Sequence, residues 1–175
     1  YEQKISRLNG VRLVVPIQVF TNNCRASLDV VVFYGVPSDK LQAARDFELV
    51  SGSWGEFKRH QDAAVVGRAV AKRRHLKTGS KFSMGDLSVN VAGIYASSDP
   101  AEENYIYSHL EFLQRGKGEN LVGSVTQFEV LLAEGENPIL KSQQIDQMFQ
   151  SGPVETDTRP KGVFQARSLG DLADL

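Results

Sequence analysis

The sequence predicts an α+β domain in which short strands outnumber helices, and three observations carry that prediction. Period-2 runs of β-branched and aromatic residues recur along the chain, most clearly in Asp29–Val36 and Ser124–Leu132. Helical spacing appears only in short stretches between those runs. Glycines punctuate the junctions. The chain has 175 residues, 41% of them hydrophobic and 23% charged, enough apolar material for a core without disulfides or a metal.

The elements follow in order. Val11–Val15 and Ile17–Phe20 alternate as strands do on either side of Pro16, and Thr21-Asn22-Asn23 is a polar turn. Asp29–Val36 is the strongest strand, closed by the turn or helix start Pro37–Lys40. Leu41–Val50 has spacing closer to helical, and Ser51–Gly55 reads as a loop. Ala63–Gly67 is a short buried strand, followed by a helix over Arg68–Leu76 that Lys77-Thr78-Gly79 ends. Lys81–Met84 and Leu87–Tyr95 form a hairpin around Gly85-Asp86. Asn104–Tyr107 is a strand, and Ser108 with Glu111 supplies a capping box for a helix over His109–Arg115. Asn137-Pro138 opens a helix to about Gln150, with Ile139, Leu140, Ile145 and Phe149 near one stripe. Gly152-Pro153 stops it, Val154–Thr158 is extended, and Val163–Leu175 is weakly amphipathic.

Composition excludes several function classes. Twenty basic against twenty-one acidic residues leave a net charge of −1, which speaks against a nucleic-acid partner. The single cysteine, Cys24, forms no internal disulfide and no cysteine-based zinc site; it reads as an isolated thiol. No apolar run approaches the roughly 20 residues of a membrane helix. Because the chain opens on Tyr1, we read it as a fragment or processed product of a longer protein.

No catalytic constellation emerges either. His60, His75 and His109 lack any metal-helix spacing. No P-loop and no G-x-S-x-G elbow occurs, and Lys77-Thr78-Gly79 has no S-x-x-K to complete a β-lactamase set. Glu102 and Glu103 suit a solvated loop better than an acid–base pair. The basic run Lys72–His75 reads as a solvated helix face with a secondary reading as a contact for anionic groups. No cofactor is expected.

The order of four motifs is more specific than any one of them. Phe47-Glu48-Leu49-Val50-Ser51-Gly52-Ser53-Trp54 precedes Asp62–Ala71, which contains Ala64-Val65-Val66-Gly67. Leu76–Met84 and then Leu87–Tyr95 follow. This series resembles the extracytoplasmic (MacB-like periplasmic core) domain of ABC-transporter permeases of the FtsX/MacB type, over about residues 28 to 150. Ser53 stands where that family commonly has arginine. The resemblance implies a non-enzymatic domain held between two membrane helices of its own permease chain, on the periplasmic face of the cell inner membrane. Its implied partners are a second permease subunit, a cytoplasmic ABC ATPase subunit or domain, and a periplasmic adaptor. The implied role is to couple ATP-driven motion to engagement of cargo or a partner protein. A soluble periplasmic hydrolase or small-ligand-binding domain, using Cys24 or His109, is the alternative.

From these readings we expect one domain, 1–175, with two lobes. Residues 1–40 and 100–165 build one, with Val30–Val36 and Val125–Leu132 in a shared sheet; residues 41–99 build a smaller, strand-rich lobe around the Phe82/Val91 hairpin. Residues 166–175 lead into a missing membrane helix. The candidate partner contacts are Trp54 and Phe57, placed in a glycine-flanked loop, and the Arg73/Arg74 pair.

Overall fold

The structure is a computed structural model that describes residues 1–21 and 30–162. Cys24 and the lead-in 166–175 lie outside the described residues. Eight strands form a single mixed sheet: β1 (Val11–Thr21), β2 (Val32–Val36), β3 (Phe47–Gly52), β4 (Ala63–Gly67), β5 (Lys81–Met84), β6 (Leu87–Ser97), β7 (Tyr105–His109) and β8 (Gln127–Leu132). Their order is β3-β6-β4-β7-β2-β1-β8, with β5 paired to β6 off that path. Among the described residues the α-helical elements between them are α1 (Glu2–Ser6), α2 (Ser38–Ala44), α3 (Trp54–Arg59), α4 (Arg68–Arg74), α5 (Leu110–Lys117) and α6 (Pro138–Phe149). The α+β class is therefore as expected, and β2 and β8 share one sheet, which is mixed.

The division into lobes differs from the expectation. Strand β4 inserts between β6 and β7, parallel to the first and antiparallel to the second. Its hydrogen bonds make residues 41–99 part of the same sheet as β7 and β2, so they do not segregate. The chain does form two compact units, one of Glu2 and Val14–Glu129, the other of Tyr1, Gln3–Leu13 and Val130 onward.

In the larger unit the core lies on one face of the sheet. Phe33, Ala64, Val66, Val89, Val91 and Ile106 pack there against Val70 and Ala71 of α4 and Leu113 of α5. Strand β4, buried at all five positions, has its other face covered too. Pro16 is tolerated inside β1 because pairing with β2 begins only at Gln18, so the missing N–H removes no bond from that ladder. The β5–β6 hairpin turns on Gly85, at φ +59°, the first central position that a two-residue loop of this hand gives to glycine.

Three local expectations fail for tertiary reasons. The run Leu41–Val50 divides: α2 ends at Ala44, and from Phe47 the backbone groups pair with β6 as strand β3. Helix α4 ends earlier than Gly79, at His75, which takes the left-handed conformation (φ 54°) while Leu76 N–H bonds to the Ala71 carbonyl. Ser108 caps nothing, because parallel pairing with β2 carries β7 through His109. Its hydroxyl is fully buried and has no hydrogen-bond partner among the described residues.

The smaller unit is organised around α6. Asn137 caps it, accepting from the N–H groups of Ile139 and Leu140. Its buried positions are Lys141, Ser142, Ile145 and Phe149, whereas Ile139 and Leu140 are exposed, so the stripe is rotated from the one the sequence suggests. The Tyr1 ring stacks on Phe149 at 4.3 Å, and Lys141 Nζ donates to the Asn9 carbonyl at 2.5 Å. Asp146 accepts from Thr156 and Thr158 and so fastens the extended segment that follows α6.

Gly67 offers a test of the packing. A Cβ there would lie 2.1 Å from the carbonyl oxygen of Glu103, a backbone atom that cannot swing away. We expect Gly67→Ala to cost roughly 2–3 kcal/mol as overpacking, measured by urea denaturation; a change within experimental scatter would contradict the close approach of β4 and the Glu103 turn.

Candidate partner-contact surface

Trp54 sits on a helix, not in a loop. Ser53 N-caps α3, its hydroxyl accepting from Gly55 N–H at 3.0 Å and Glu56 N–H at 3.4 Å. Helical spacing then sets Trp54 edge-on to Phe57, ring centroids 5.9 Å apart. Trp54 is half-buried. Phe57 is 0% exposed and stacks on the His109 ring at 4.4 Å, so it is closed to any partner. The expectation fails for Phe57 because three residues along a helix turn its ring inward. His109 is itself 6% exposed, and its Nε2–H donates to the Phe57 carbonyl at 2.6 Å. The histidine that the hydrolase alternative would use is therefore engaged in holding α3 to β7.

The two halves of the expected contact set are not brought together. Successive residues of β7 point to opposite faces of the sheet. Ile106 packs with α4, while Phe57 of α3 stacks on His109, which belongs to the other face. Trp54 and the Arg73/Arg74 pair therefore lie over opposite faces. Arg73 and Arg74 are exposed, in the last turn of α4 with Lys72. Cations there complement the negative end of the helix dipole. Arg73 donates to Asn104 Oδ1 at 2.7 Å, and Arg68 grips Glu103 through two hydrogen bonds of 3.0 and 3.2 Å.

The structure also assembles a charged group that sequence reasoning missed. Arg45, just past α2, donates to both carboxylate oxygens of Glu129 on β8, at 2.6 and 2.5 Å. Its Nε lies 3.5 Å from Glu102, and the Tyr107 hydroxyl donates to the same Glu102 carboxylate at 3.0 Å. The side chains of Arg45 and Glu102 are 9% and 7% exposed. Burial acts to lower the Arg45 pKa, but the Glu129 hydrogen bond and the nearby anions outweigh it, so the guanidinium holds its proton more tightly than usual. Glu102 and Glu103 are thus buried and paired, not solvated as their setting after Asp99-Pro100 suggests. The only sequence signal was the period-2 spacing of Tyr105 and Tyr107. The arginine and its two carboxylates come from three distant segments with no shared motif.

Four tyrosines line this region. The single Tyr95 O–H is shared between the Glu102 carbonyl at 2.6 Å and the Tyr105 carbonyl at 2.9 Å, and the ring stacks on Phe47 at 4.0 Å. Burial, first, and the Glu102 carboxylate push the phenols of Tyr34, Tyr95, Tyr105 and Tyr107 above the ordinary tyrosine value. Among the described residues, no three His, Cys, Asp or Glu side chains converge to hold a metal, and no helix is long and apolar enough to cross a membrane.

Two expectations follow. Phe57→Ala should cost about 3–5 kcal/mol as a core truncation, and Trp54→Ala should cost clearly less; equal losses in chemical denaturation would contradict the different burial of the two rings. The four phenols favour the neutral form in the fold. They therefore support stability below the ordinary tyrosine pKa of about 10, and that support is lost as pH rises through their higher folded values. Their phenolate absorbance should lag behind that of the denatured chain and rise together with unfolding. Titration of all the tyrosines near their ordinary pKa in the folded chain would count against the buried cluster.

By sequence, no curated protein matches the chain. Its fold is similar to the extracellular domain of the ABC-type transporter YknZ from Gram-positive bacteria, with TM-score 0.63 and 13% identity over 89% of this chain and 83% of that one. It is also similar to the periplasmic region of MacB from Actinobacillus actinomycetemcomitans, with TM-score 0.61 and 11% identity over 97% and 80% of the two chains. At such identities the likeness is one of fold. The family's own sequence model matches residues 1–148, and the chain belongs to the MacB-like periplasmic core domain family.

Proposed function

We propose that this chain is the extracytoplasmic domain of an ABC-transporter permease, on the periplasmic face of the cell inner membrane. It couples ATP-driven motion to the engagement of cargo or a partner protein and is not itself an enzyme. The observation that carries the reading is the family match over residues 1–148. The fold likeness to outer domains of ABC-type transporters supports it. On this reading membrane helices of the same permease hold the domain, a second permease subunit pairs with it, and a cytoplasmic ATPase supplies the motion. A periplasmic adaptor is a further partner.

The build of the larger unit suits a transmitting role. Its inner strands β6, β4, β7 and β2 are bonded on both sides, and a buried ion group joins the segment after α2 to Glu129. No loop in the sequence has the pattern that cradles a nucleotide's phosphates, so on this reading ATP is bound by another chain.

The test is topological. In the full-length protein, with Cys24→Ser as background, a cysteine introduced at the exposed Glu48 should react with a membrane-impermeant maleimide added to intact spheroplasts. Protection until the membrane is opened would place the domain on the cytoplasmic side and defeat the proposal.

A further inference from the structure

The sheet ends on one side at β3, and among the described residues no strand pairs with its outer edge. An open edge presents a row of unpaired N–H and C=O groups, to which a second copy or an extended peptide can add a strand. Side-chain chemistry protects this edge only in part. Phe47, Leu49 and Val50 are apolar, and Glu48 is the one charged residue of β3. In an antiparallel pairing of two copies centred on Glu48, its carboxylates would face each other and repel.

The stronger interruption lies in the ladder. β3 runs antiparallel to β6, with Phe47 opposite Ser97, Glu48 opposite Ala96 and Leu49 opposite Tyr95. The next pair is Ser51 with Ile94, so Val50 has no counterpart on β6 and forms a β-bulge. Its residue is 53% exposed. A bulge bends its strand and puts the backbone groups on either side of it out of phase with an incoming regular strand. Only Phe47–Leu49 remains in phase, about half the usual strand length. Beyond the bulge the chain is committed to other contacts. The Ser51 and Thr78 hydroxyls meet at 2.8 Å, Gly52 takes φ +88° close against the Ala92 carbonyl, and Ser53 N–H donates to that carbonyl at 3.1 Å.

From these features we infer that the Val50 bulge, aided by Glu48, closes the β3 edge to strand addition, so that neither a second copy of this chain nor an extended partner segment continues the sheet there. The inference goes beyond the transport reading and does not rest on it. The ladder also shows that the bulge is not needed to build the domain. Leu49 and Ser51 already stand opposite the neighbouring residues Tyr95 and Ile94. A chain without Val50 therefore keeps every β3–β6 pair in one continuous register. The extra residue acts outward, on the free edge.

The experiment deletes Val50 from the 175-residue chain, with Cys24→Ser as background so that no intermolecular disulfide contributes. Light scattering gives the mass, and hydrogen exchange of the β3 amides is followed across a concentration series. In the parent chain that exchange should not depend on concentration. The deletion variant should self-associate, its mass rising about twofold with concentration while its β3 amides become protected. Glu48→Thr removes the charge and raises strand propensity but keeps the bulge, so it should behave as the parent does. Combined with the deletion, it should tighten the association. Thermal melts establish that each variant is folded. Two results overturn the inference. One is a folded deletion variant whose β3 exchange is independent of concentration; the other is concentration-dependent β3 protection in the parent or in Glu48→Thr. If the deletion variant unfolds, Glu48→Thr decides: unchanged β3 exchange upholds the bulge as the barrier, and protection overturns it.

Discussion

Arg45 places a full positive charge where less than a tenth of its side chain meets water, and much of the larger unit is arranged to make that tolerable. An unpaired guanidinium in such a setting would be strongly destabilising. Two carboxylates, Glu129 and Glu102, answer it, and the Tyr107 hydroxyl supplies a bond to Glu102 that water would otherwise make. These partners come from β8, the turn before β7, and β7 itself. Satisfying one buried charge therefore fixes the relative positions of elements far apart in sequence. Such a group does not necessarily raise net stability over an apolar replacement. What it contributes here is uniqueness, because a shift of β8 along the sheet would leave Arg45 with a charge deficit.

The second organising feature is the position of β4. Inserted between β6 and β7, it draws the middle third of the chain into the same sheet as the first and last thirds. It also separates two helix-covered faces with different chemistry. On the α3 side the covering side chains are aromatic: Phe57 over His109, with Phe47, Tyr95 and Tyr107 clustered nearby. On the α4 side the inner contacts are aliphatic and the outer surface is cationic.

Membership of the MacB-like periplasmic core domain family joins these features to a role in transport. Sequence identity to the similar solved domains is 13% and 11%, so few side-chain contacts can be shared, while the course of the chain persists. Particular features such as the Arg45 group and the Val50 bulge must therefore be argued from this chain's own residues. The proposed coupling role rests on the family.

The sequence by itself determined what is local. β4 and the Asn137-capped start of α6 were legible because alternation and capping act within a few residues of chain. The β5–β6 hairpin was legible for the same reason: Gly85 supplies its turn within the loop itself. The ordered motifs also carried the family. Tertiary structure decided where local signals compete with distant pairing. Phe47–Gly52 became a strand because β6 was there to bond it, and Ser108 was denied a helix cap because β2 held it in a parallel ladder. Phe57 was turned from a candidate contact into core by the helix that Ser53 starts. The Arg45 group could not have been read from the sequence, since a buried ion pair leaves no periodic trace: its members meet only after the sheet has formed, and the cost of leaving them unpaired is what holds them together.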